Sequence, residues 1–167
     1  MQKFALQLHV ALSLLGILTG FVVIYGFISS SQGFDAVTLV FLAATIATSV
    51  TGFPPFFRFE KLLPSHVVGI ISLLVLLLAV YARYGAALSG GWGTTFVVTA
   101  VIAQYLNVFV LVVQLFQKVP ALKALAPTQQ EAPFKIAQAI VLLAFIAGGW
   151  LATKSFDPSI VAGLASP

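Results

Sequence analysis

The chain has 167 residues, of which 60% are apolar and 7% charged, with a formal charge of +4 and no cysteine. A soluble domain carries about 25% charged residues, so the bilayer is the expected solvent. The missing thiols exclude disulfide exchange, thiolate-held iron–sulfur clusters and a cysteine nucleophile, and basic residues scattered over short connections argue against a nucleic-acid surface.

A hydrocarbon core about 30 Å thick needs about 20 apolar residues per helix. The chain offers five such stretches. The expected fold class is therefore all-α, an integral membrane bundle of five transmembrane helices over residues 1–154 with a short polar tail over 155–167. The first span, about 4–28, exceeds the roughly 7–15 apolar residues of a signal peptide and reads as a retained anchor. Ser13, Gly16 and Gly20 lie near one face of it. The GxxxG pair lets another helix approach closely, either inside the bundle or in a second copy.

The loop Ser29 to Asp35 carries turn formers and an acid but no Lys or Arg. The second span, about 36–53, holds Thr45, Thr48, Ser49 and Thr51, whose hydroxyls can bond their own helix's carbonyls and serve as packing residues. Pro54 and Pro55 end it. Arg58, Glu60 and Lys61 fill the turn, and Pro64 with Ser65 as N-cap opens the third span, about 65–88. Arg83, between Tyr81 and Tyr84, is expected to snorkel to the headgroups. SGGWG makes a turn and puts Trp92 at that interface.

The fourth span, about 94–116, contains Gln104, Tyr105, Asn107 and Gln114. Steps of three and seven set Gln104, Asn107 and Gln114 on one stripe that should face other helices. The longest connection follows, with Lys118, Lys123 and Lys135. Thr128 and Glu131 in it resemble a capping box, with Pro133 expected to stop any helix quickly. The fifth span, about 136–152, includes Gln138, Gly148, Gly149 and Trp150.

Lys3, Arg58, Lys61, Lys118, Lys123 and Lys135 fall on one side of this arrangement, against Arg83 and Lys154 on the other. By the positive-inside rule the N-terminus is cytoplasmic and the C-terminus periplasmic. Trp92, Trp150, Tyr25, Tyr81 and Tyr84 then all sit near the outer interface.

The segments TSVTGF, LPSHVVGIISL, YLNVFVLVVQLF and KVPALKALAPTQ resemble a family of small bacterial inner-membrane proteins recorded as hypothetical. The likeness runs from about Ser13 to Gln138. In that family a Phe-rich run leading to an acid, an Arg and a Phe follows TSVTGF, where this chain has the longer PPFFRFEKL. The resemblance implies residence in the bacterial inner membrane and a helical fold. It implies no activity or substrate.

Two sets of residues carry chemistry. His9 and His66 lie at similar depth in spans that start from the same side. They fit interfacial groups bonded to water, headgroups or loop carbonyls, or the axial pair of a haem b. The set Gln104, Tyr105, Asn107 and Gln114 fits interhelical hydrogen bonding, or a channel for a small solute or a quinone headgroup. No Asp, Glu, Lys or Arg lies centrally in any span, which argues against an ion-coupled carrier, and five helices do not divide into equal inverted repeats. Asp35, Glu60, Glu131 and Asp157 divide between the two sides outside any motif, so neither a catalytic residue nor a metal site is assigned. The leading expectation is a non-catalytic inner-membrane protein that self-associates or serves a larger membrane complex. Its partners are then the lipid bilayer and another membrane protein, not nucleic acid.

Overall fold

The computed structural model describes residues 2–31, 33–53 and 64–158. The expected turn with Pro54, Pro55, Arg58, Glu60 and Lys61 lies outside the described residues, as does most of the polar tail. Among the described residues there are six α-helices and no strand: α1 (Gln2–Ser29), α2 (Asp35–Thr51), α3 (Pro64–Val80), α4 (Trp92–Lys118), α5 (Pro120–Leu125) and α6 (Ala132–Ser155). A π-helical turn, Tyr81–Gly85, continues α3. Four segments are long and apolar enough to cross a membrane: Lys3–Ser29, Ser65–Gly85, Trp92–Lys118 and Ala132–Ser155. The helix α2, of 17 residues, is shorter.

Successive long helices alternate in direction. At one end Asp35 pairs with Arg83, the rings of Tyr81 and Trp92 meet edge to face, and Phe27 contacts both Phe96 and Phe156. At the other end His9 bonds Thr51, His66 stacks on Phe53, and Phe116 packs against Phe134. We call these the aromatic end and the histidine end. Helices α1 to α4 form a ring that the contact of α1 with α4 closes, while α6 lies outside in the groove between α1 and α4.

The two halves of the ring differ in what fills them. Toward the aromatic end the interior is mainly apolar and is closed by Val23, Phe27, Phe41, Leu76, Phe96 and Val97, each buried. In a bilayer such a core gains little from the hydrophobic effect, because lipid is as apolar as leucine, so close packing and interhelical hydrogen bonds must hold it. Gly20 shows how close that packing is. A Cβ there would lie 2.1 Å from Gln104 Oε1 and 2.8 Å from Phe41 Cε2.

Three local expectations are corrected. Arg83 does not reach outward to headgroups. Its guanidinium turns inward to the Asp35 carboxylate and lies over the rings of Tyr84 and Phe96, at 5.6 and 5.5 Å from their centroids. An acid on the neighbouring helix and a ring beneath it offer the cation more than solvent across the same distance. Pro133 does not stop a helix. It stands in the first turn of α6, where the missing N–H has no intrahelical acceptor in any case. The third span also ends as a helix at Gly85, short of Leu88. There Ala86 N–H donates to Tyr81 O, five residues back, and Ala87 and Leu88 turn left-handed at φ 47° and 58°.

The capping-box pair forms a local knot just before α6. Glu131 accepts hydrogen bonds from the Thr128 N–H and hydroxyl and from the Gln130 N–H. Partial loss of solvent at the carboxyl raises its pKa, but these bonds more than offset that and hold it below the ordinary value. Their contribution is thus present at neutral pH and is lost as pH falls through the lowered folded-state value.

Candidate ligand-binding pocket

At the histidine end the described residues do not fill the ring. A cavity of about 390 Å³ lies among α1, α2, α3 and α4. From α1 it is lined by His9, Ser13 and Ile17, and from α2 and the residues just after it by Thr48, Ser49 and Phe53. Helix α3 supplies Ser65, His66, Gly69 and Ser72, and α4 supplies Asn107, Gln114 and Lys118.

Each helix contributes for a readable reason. On α2, Thr45, Thr48, Ser49 and Gly52 recur at helical spacing, and on α3 so do Ser65, Gly69 and Ser72. Each set makes a narrow face of small polar residues turned into the ring. The two faces meet where the Ser49 hydroxyl donates to the Ser72 hydroxyl at 3.3 Å. Asn107 Nδ2 donates to Thr45 Oγ1 at 3.1 Å, and Gly16 makes room for this, since a Cβ there would lie 3.0 Å from the same oxygen.

The histidines lie on this cavity in different settings. His9 Nδ1 is 3.0 Å from Thr51 Oγ1, whose own hydroxyl hydrogen is directed to Ala47 O at 2.7 Å. With its only hydrogen so used, the Thr51 oxygen is the acceptor, which places a hydrogen on Nδ1 and leaves the lone pair of the neutral ring on Nε2. His66 is buried and stacks on Phe53 with centroids 5.4 Å apart and planes at 26°. The two histidines therefore line one space, each oriented by a neighbour from α2 or the residues just after it.

The expected stripe on α4 divides. Asn107 and Gln114 line the cavity. Gln104 lies deeper, at 0% exposure, and donates from Nε2 to Ile17 O at 2.8 Å across the α1–α4 contact. Among the described residues no N–H or O–H reaches its Oε1, which occupies the space that a Cβ at Gly20 would fill. Tyr105 turns away from the ring to the rings of Phe109 and Phe145, facing α6. Ser13 lines the cavity with its hydroxyl bonded to His9 O at 2.7 Å, while Gly16 and Gly20 are buried within the chain.

Sequence reasoning assigned Thr48, Ser49 and Lys118 no place in a site. The spacing on α2 was the available signal for the first two. For Lys118 there was none, because its place at the mouth depends on α4 ending beside α1 and α3. No known protein family, curated protein or solved structure matches the chain.

Proposed function

We propose that the protein is a multi-pass protein of the bacterial inner membrane with five spans, a cytoplasmic N-terminus and a small-molecule binding pocket at its cytoplasmic end. The single observation that carries the pocket is the contrast between the two halves of one ring. Polar side chains from four helices converge on an unfilled space at the histidine end, and the aromatic end is closed. Ligand sites have this composition, mostly apolar with a few convergent polar groups, and volumes of about 300–1,000 Å³.

The closed half favours binding over passage. A path continuing beyond Asn107 would have to cross Gln104 and Phe41 and then Phe96 and Val97, all buried, so the pocket is blind and a channel reading loses its exit. The association reading loses its best face, because Gly16 and Gly20 contact α2 and α4 of their own chain. Haem b held by His9 and His66 keeps the support that both line one cavity. Against it stands the volume, roughly a dozen waters at about 30 Å³ each, whereas a porphyrin has several times as many atoms.

A fifth span through α2 is supported by its reach along α1. Its Thr51 meets His9, and Phe34, just before it, packs against Gly26. At 1.5 Å per residue this covers about 26 Å, and spans as short as about 17 residues occur. Orientation is supported by the charges and by the exposed Tyr25, Tyr81, Tyr84 and Trp150, all near the aromatic end, as an outer aromatic belt would be. With no native cysteine, single cysteines report on sidedness without background. Ser89→Cys should react with a membrane-impermeant maleimide in intact cells and Gln130→Cys only after lysis; the reverse pattern would invert the orientation.

Extraction into polymer-bounded native discs, followed by solvent extraction and mass spectrometry, tests the pocket. The wild-type protein should carry a small molecule in near-stoichiometric amount that the cavity-filling Ser13→Phe variant lacks at equal folding. Identical extracts would defeat the reading. A Soret band that sharpens on dithionite would identify the occupant as haem and make His9 and His66 its ligands.

A further inference from the structure

The pocket's walls differ in what lies behind them, and this bears on what it binds. On α1 the apolar residues Leu6, Val10 and Leu14 line the cavity, yet they are 48%, 41% and 48% exposed. A residue that both lines a cavity and faces outward marks an edge of its opening. This edge lies along a spanning helix, so the pocket opens sideways to hydrocarbon as well as at its polar end. The charges at the polar end are one-sided. Among the described residues that line the cavity, Lys118 is the only formally charged one, and no Asp or Glu is among them.

From the lateral opening and from Lys118 among the lining residues we infer that the pocket takes a single-chain anionic amphiphile of the fatty-acid class from the bilayer. Its carboxylate lies toward Lys118 and its chain along Leu6, Val10 and Leu14. This rests on the pocket reading above and adds the ligand's class and route of entry. One basic residue matches one carboxylate. A volume of about 390 Å³, at roughly 30 Å³ per water-sized unit, holds about a dozen non-hydrogen atoms. That is enough for a head and one medium chain and too little for a diacyl lipid. Asn107 then faces the deep end of the chain, and Gln114, one turn before Lys118 on α4, lies nearer the head. A cationic amphiphile would meet Lys118 with no acid among the described lining residues to offset it.

The probe is dodecanoic acid bearing a chain diazirine, photolysed in liposomes containing the full-length protein, with labelled peptides mapped by mass spectrometry. Labelling should concentrate on the α1 segment Leu6–Leu14 and on Val110 and Leu111 of α4. Excess laurate should compete it away and excess dodecanol should not. Lys118→Gln should weaken saturable labelling about fivefold, the size of one basic residue's attraction near a membrane surface, and Lys118→Arg should restore it. Equal competition by dodecanol, or unchanged labelling of Lys118→Gln, would overturn the anionic head group and leave the pocket standing. Labelling that excess laurate does not reduce, or that spreads evenly onto the lipid-facing Ile140, Leu143 and Ile146 of α6, would overturn both.

Discussion

Gly20→Ala is expected to destabilise the protein by about 2–4 kcal/mol, because the added methyl group meets the closest contact found at any described glycine. The new Cβ would overlap Gln104 Oε1 at 2.1 Å and Cδ at 2.4 Å, with Phe41 Cε2 at 2.8 Å behind them. Those atoms end flexible side chains, but neither Gln104 nor Phe41 has free space to enter, at 0% and 1% exposure. Overpacking of a filled core costs about 1–3 kcal/mol, and displacing Gln104 also removes its bond to Ile17 O, worth about 1 kcal/mol. Gly148→Ala is the matched control. Nothing lies within 4 Å of a Cβ at that position, so a neutral result, or a gain of up to about 1 kcal/mol from helix propensity, is expected.

The cause can be separated from a general intolerance of α1 to substitution. Gln104→Ala makes room for the Gly20 methyl, so the double variant should be more stable than the summed single losses by about 0.5–3 kcal/mol. Unfolding by a denaturing detergent, followed by circular dichroism, reads all four proteins. Additive losses would mean that Gly20 is needed for some reason other than its contact with Gln104. In mild detergent the folded fraction of Gly20→Ala should elute where wild type does, because this glycine faces the chain's own α2 and α4.

The positions of the helices were legible because a run of about 20 apolar residues has one cheap conformation in lipid, with every backbone group bonded inside the segment. Four of the expected spans coincide with helices of membrane-crossing length, and the second appears as α2. What the chain does not carry locally is which helix lies beside which. Gly16 and Gly20 announced a close approach but not its partner. Only the crossing of α1 with α4 shows that Gly20 makes room for Gln104. Likewise Gln104, Asn107 and Gln114 share a stripe by spacing, yet the closed half of the ring takes the first and the cavity takes the other two. The inward turn of Arg83 failed to show for the same reason: its acid is 48 residues away, and sequence adjacency to Tyr81 and Tyr84 suggested an interface anchor instead.

That ion pair should respond unequally to removal of its two members. The Arg83 side chain is 9% exposed and that of Asp35 43%. Asp35→Ala leaves a guanidinium with little access to water, its Nε already without a hydrogen bond among the described residues and its charge over the rings of Tyr84 and Phe96. A fully buried pair broken this way loses about 3–5 kcal/mol, and an exposed pair at most about 1. A cost near 2 kcal/mol is expected here, including the loss of an acid from the first turn of α2. Arg83→Met replaces the cation with an apolar chain of similar length between the same rings, and Asp35 keeps its contact with water. That variant should lose no more than about 1 kcal/mol, and adding Asp35→Ala to it should cost little further, because the stranded charge is gone. Equal losses from the two single variants would mean that the pair behaves as a surface bridge and that the aromatic end is held by its rings. Unequal losses would identify Asp35 as the residue that keeps Arg83 inside the fold.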